Sequence, residues 1–103
     1  MTTNDTGTVE LEARSIRFYS AGDEDAFFRW LRSLPCIARY YGVGPTLRIL
    51  VVPHLVDEGM LRELLAMFRR YSVDMRQLAL FDKPEFADWF RNDKAYWHKA
   101  VFE

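Results

Sequence analysis

Residues 36–52 read Cys36-Ile37-Ala38-Arg39-Tyr40-Tyr41-Gly42-Val43-Gly44-Pro45-Thr46-Leu47-Arg48-Ile49-Leu50-Val51-Val52. Two strand-like runs flank a glycine- and proline-bearing turn, which is the pattern of a β-hairpin. The second run is apolar at every position from Ile49 to Val52, the mark of a central strand covered on both faces. Pro53 stops it.

Helical periodicity lies on either side of this hairpin. Ser20 followed by Asp23 approximates a capping box, and Phe27, Trp30, Leu31 and Leu34 then fall on one face, which predicts helix 1 over about residues 22–33. Asp57 and Glu58 precede a broad apolar arc of Met60, Leu61, Leu64, Leu65, Met67, Phe68 and Tyr71, which predicts helix 2 over about residues 57–71. Val9, Leu11 and Ala13 alternate with polar residues, and the apolar parity then switches to Ile16 and Phe18. We read the switch as a bulge, or as a short lead-in separate from the main strand, and place strand 1 at 14–19. Residues 75–81 read as a last strand. Asp82 and Glu85 around Pro84 open a C-terminal helical segment, with Asp82 as its cap.

The predicted order is β-α-β-β-α-β followed by helix. This is a ferredoxin-like α+β sheet with two helices on one face. The competing reading leaves 36–43 irregular and builds a small parallel sheet, and the turn at Gly42–Pro45 favours the first. Residues 1–12 are expected as a flexible or lead-in segment, with the first eight frayed, and 13–103 as one domain. If Leu47, Ile49 and Val51 face the helices, Arg48, Leu50 and Val52 share the other face and need a cover. Phe81, Phe86, Trp89, Phe90, Tyr96, Trp97 and Phe102 are seven of the 16 aromatic residues. The segment 82–102 is therefore expected to fold back over that face or over a sheet edge.

Composition bounds the rest. The 103 residues are 50% hydrophobic and 28% charged, a globular balance that at this length forms one core without disulfide or metal. The single cysteine, Cys36, allows no intrachain disulfide, which favours a reducing, cytoplasmic setting. The N-terminus lacks the basic and apolar regions of a secretory signal. The run Leu47–Val56 is too short to span a bilayer, so no membrane contact is expected. The net charge of −1 argues against sequence-blind binding of nucleic acid. That charge is unevenly spread: residues 14–76 hold ten arginines and no lysine against seven acids. The excess fits both bidentate anion recognition and the codon bias of a GC-rich, bacterial genome.

Catalytic apparatus is sparse. His54, His98 and Cys36 share no metal-ligand spacing, and no phosphate loop or nucleophile elbow occurs, so neither metal nor cofactor is expected. Cys36 with His54 lacks any signature of a nucleophile pair and reads as a buried strand residue. A four-stranded sheet of this kind also invites an RNA-binding reading. The third strand lacks the required aromatic pattern, and Arg17, Tyr19 and Arg48 are a thin substitute.

Protein binding remains. Arg39-Tyr40-Tyr41 on an edge strand, joined by Arg17 and Tyr19 on the open sheet face, has the composition of an interface anchor. The expectation is a non-enzymatic, macromolecule-binding protein of regulatory, inhibitor or immunity type whose partner is another protein. A homodimer through the aromatic tail is a further option. The alternative is a small enzyme or anionic-ligand domain with a cleft near His54, which follows the central strand, and Arg48 holding the anion.

Overall fold

The computed structural model describes residues 7–103; the expected fraying of residues 1–6 lies outside them. Three strands form one antiparallel sheet: β1 (Val9–Arg14), β2 (Ile37–Val43) and β3 (Thr46–Val51), in the order β1-β3-β2. Helices α1 (Ala21–Arg32) and α2 (Glu58–Arg70) follow β1 and β3, and two short helices, α3 (Ala87–Phe90) and α4 (His98–Phe102), lie near the C-terminus.

The hairpin forms as read. Gly44 takes a left-handed φ of 58° in the two-residue loop, where a residue with a side chain would be strained. The helix caps also form: Asp23 N–H donates to Ser20 Oγ at 3.1 Å and Met60 N–H to Asp57 Oδ1 at 2.8 Å. The register pairs Val9 with Val51, Leu11 with Ile49 and Ala13 with Leu47. This sets one apolar face against Phe27 and Leu31 of α1 and Leu61, Leu64, Leu65 and Phe68 of α2, all in the same buried cluster. The indole N–H of Trp30 donates to Glu63 Oε1 at 2.7 Å and ties α1 to α2.

Four expectations are corrected. Strand 1 lies at Val9–Arg14, not at 14–19, and so begins inside the segment expected as a lead-in. Ser15 adopts φ 53°, a conformation that breaks a strand, and its N–H donates to the Pro45 carbonyl at 2.7 Å. The alternation beyond it survives without a partner strand: Ile16 and Phe18 pack on the core, while Arg17 and Tyr19 are exposed.

The fourth strand does not form, so the four-stranded ferredoxin-like sheet is not what the structure contains. Residues Met75–Phe81 are a 3-10 helix that buries Met75, Leu78 and Phe81. A spacing of three matches the three-residue turn of that helix rather than the two-residue period of a strand. This helix still serves the free edge of β1. Gln77 Oε1 accepts from Glu12 N–H, and Gln77 Nε2 donates to the Glu12 carbonyl, both at 2.7 Å. One side-chain amide thus satisfies two backbone groups that a fourth strand would have paired.

The aromatic tail folds back, but not over the second sheet face. Phe86, Phe90, Trp97 and Val101 are buried in the main core. Trp97 Nε1–H donates to the Phe90 carbonyl at 2.7 Å, and Arg62 of α2 stacks over Trp89 at 4.2 Å. Asp82 does not N-cap the segment that follows, where Lys83 holds that position; it closes the 3-10 helix Met75–Phe81 and pairs with Arg91. The second face carries exposed Glu10, Glu12, Arg14, Arg39 and Tyr41. Leu50 on that face is 6% exposed and has Glu10 and Arg39 as its cross-strand neighbours.

Candidate functional site

The structure divides the residues read as one interface. Ala38 is the extra residue of a β-bulge, because the register shifts between Ile37 and Arg39. The shift turns Tyr40 toward the helices and Arg39 and Tyr41 outward. Tyr40 packs on Phe28 with ring centroids 5.4 Å apart, and its hydroxyl accepts from Arg32 Nη1 at 3.2 Å. Tyr40 is therefore a packing residue. On the outer face Arg39 lies over the Tyr41 ring at 5.3 Å, and the Tyr41 hydroxyl donates to Glu10 Oε1 at 3.4 Å.

Arg48 shares that outer face. Its guanidinium is paired with Glu10 and lies 3.4 Å from Glu12 Oε2. The Glu10 hydrogen bond raises its pKa above the ordinary arginine value. A guanidinium held by two carboxylates is already neutralised and is a poor holder for an anionic ligand. His54 sits in the 3-10 turn Pro53–Leu55 and is exposed; none of the clefts described below includes it. Cys36 is fully buried. Burial first, and the charge of Asp57 after it, push its thiol up to about 11, against a lowering by a backbone hydrogen bond. A thiol that holds its proton through neutral pH is not an activated nucleophile.

Arg17 and Tyr19 stand elsewhere, at the end of the sheet that carries the hairpin turn. They line a cleft of about 380 Å³ together with Ser15, Arg70, Tyr71 and Ser72. Tyr19 is 83% exposed, more than any other large hydrophobic residue among the described residues. Asp23 places both tyrosines: its Oδ2 accepts from the Tyr19 N–H at 3.0 Å. Burial, followed by the charge and hydrogen bond of Asp23, raises the pKa of the Tyr71 phenol. The Tyr71 ring is fixed from behind by Phe27 at 4.8 Å and Phe18 at 6.0 Å. No hydrogen bond or ion pair engages the guanidinium of Arg17 or Arg70 among the described residues. A second cleft adjoins the first through Ser15 and Ser72 and runs along β1 past Glu10, Glu12, Arg14, Asp74 and Gln77.

No family model, curated protein or solved structure matches the chain. The site therefore stands on its own geometry.

Sequence reasoning missed Arg70, Tyr71, Ser15 and Ser72. Tyr71 falls on the apolar arc of helix 2, Arg70 is outside that arc, and nothing local shows that the helix end meets the segment after β1. Ser72 could have been read as a helix stop. Its N–H donates to the Arg69 carbonyl and that of Val73 to the Phe68 carbonyl, which is the Schellman arrangement. Ser72 fills its left-handed position, with φ 58°, where glycine is favoured. Ser72→Gly is expected to raise the unfolding free energy by about 0.5–1 kcal/mol. A urea titration checks this, and an unchanged or lower midpoint would contradict the cap geometry.

Proposed function

We propose that the chain is a protein-binding module and that the Arg17–Tyr19–Arg70 cleft is its docking surface. One observation carries the reading: the most exposed tyrosine among the described residues and two guanidiniums with no hydrogen bond or ion pair among them line one cleft. Arginine and tyrosine are enriched among residues that dominate binding energy, and they do so where they are not already engaged. Arg39 and Tyr41 are the secondary surface on this reading, since they engage each other and Glu10. Tyr40 has no part in it.

The fold belongs to the same proposal. The order β1-β3-β2 and the Gln77 contact with β1 support a ferredoxin-like plan whose fourth strand is replaced by a 3-10 helix. A buried reduced thiol fits a cytoplasmic setting, and a regulatory or immunity-type role fits a small binding module.

The test is a photo-reactive amino acid at position 19, with the same group at the half-exposed Tyr96 of the tail for comparison. Cross-links to one host protein from position 19 and none from 96 are expected. Cross-links from 96 alone, including to a second copy of the chain, would move the interface to the tail and overturn the assignment.

A further inference from the structure

We propose that the Arg17–Arg70 cleft binds a phosphomonoester, so that the partner is recognised through a phosphorylated group. This rests on reading the cleft as the docking surface and names the chemistry that would fill it.

Donors outnumber acceptors in the cleft. Arg17, Arg70, Tyr19, Ser15 and Ser72 line it, no acidic side chain is part of its lining, and Asp23 behind it is already held by the Tyr19 N–H and by Tyr71. Each guanidinium offers five N–H donors in a planar fork, and each hydroxyl offers one more. Neither serine hydroxyl has a hydrogen-bond partner among the described residues. A carboxylate presents two oxygens in one plane and would leave most of these donors without a partner. A phosphomonoester dianion presents three terminal oxygens on different sides of one centre, which suits two forks and several hydroxyls. A volume of about 380 Å³ is at the lower end of ligand sites. It accommodates the phosphoryl group with the first atoms of what carries it.

The backbone points to the same place. Ser15 and Ser72 are the two non-glycine residues with positive φ among the described residues, at 53° and 58°, and both are in the wall of this cleft. Residues held in such conformations concentrate at functional sites. At Ser72 the helix stop would be better served by glycine. Serine there retains a hydroxyl at a position that lines the same cleft as Arg70, at the expense of the cap. Arg14 lines the adjoining cleft and has no ion-pair partner among the described residues, which adds positive charge on the β1 side. Glu10, Glu12 and Asp74 line that adjoining cleft and are not part of the lining of the Arg17–Arg70 cleft. An anion is therefore favoured at the Arg17–Arg70 end, whose lining holds no carboxylate.

The experiment is an NMR titration of the intact chain at fixed ionic strength with phenyl phosphate, inorganic phosphate and acetate. Saturable shifts by phenyl phosphate at the amides of residues 15–19 and 70–72 are expected, with much weaker response to acetate. An R17A/R70A double variant, which alters two exposed side chains, should keep its fold and weaken binding at least tenfold. Ser72→Gly should weaken binding several-fold although it stabilises the protein, which a purely structural serine would not do. Absent shifts at those amides, unchanged affinity in R17A/R70A, acetate binding equal to phenyl phosphate, or tighter binding of inorganic phosphate would each overturn the proposal. None of these results bears on the cross-linking from position 19, so the two readings fail separately.

Discussion

Phe90→Ala is expected to lower the unfolding free energy by about 3–5 kcal/mol. Phe90 is fully buried, and its ring meets Phe102 at 4.9 Å, Trp89 at 5.6 Å and Trp97 at 6.5 Å. Its carbonyl also accepts the Trp97 indole N–H, so a backbone that relaxes into the cavity would disturb a buried donor as well. The loss would be a large share of the total for a domain of this size, since small domains are stable by only about 5–15 kcal/mol. Tyr96→Ala, at a half-exposed ring of the same segment, should lose about 1 kcal/mol or less. Urea denaturation of the two variants beside the parent measures both. A Phe90→Ala loss below about 1 kcal/mol would mean that the tail is an appendage rather than part of the core.

Alkaline destabilisation is the second large effect. Cys36 keeps its proton in the folded protein up to about 11, mainly because of burial. An exposed thiol in the unfolded chain releases it near pH 9.0. Between these two values the folded state binds more protons than the unfolded state, so stability falls as pH rises. The slope is about 1.4 kcal/mol per pH unit, or roughly 2–3 kcal/mol across the window. Below pH 9 both states are protonated and the full contribution is present. Tyr71 and Tyr96 have phenols shifted upward by burial and add their own alkaline sensitivity, so the comparison is with Cys36→Ala. That variant should show a visibly shallower decline from pH 9 to 11 in denaturation curves. Identical slopes would show that the thiol is not buried in the folded state.

The parts of the fold that the sequence reveals are those decided by neighbours in the chain. The Ser20 and Asp57 caps, the periodic faces of both helices and the hairpin around Gly44 are local, and each forms. The alternation of Ile16 and Phe18 with Arg17 and Tyr19 is also real, although Ser15 removes that segment from the sheet. What was misread depends on period or on distant partners. Met75, Leu78 and Phe81 are spaced by three, yet an apolar run of seven residues resembles a strand unless that spacing is counted. The bulge at Ala38 separates Tyr40 from Arg39 and Tyr41, and nothing in an edge strand's composition announces it. The site was half legible. Arg17 and Tyr19 were chosen for residue type, but Arg70 and Ser72 join them only because the end of α2 meets the segment that leaves β1.

The central claim is that docking occurs at this cleft rather than at the outer sheet face. The most direct measurement is the affinity of the cross-linked host protein for two double variants, R17A/Y19A and R39A/Y41A, beside the parent. Both pairs are exposed, so both variants should stay folded. Loss of binding by tenfold or more in R17A/Y19A, with a smaller change in R39A/Y41A, is the predicted result. Full affinity in R17A/Y19A together with loss in R39A/Y41A would place the interface on the sheet and contradict the account.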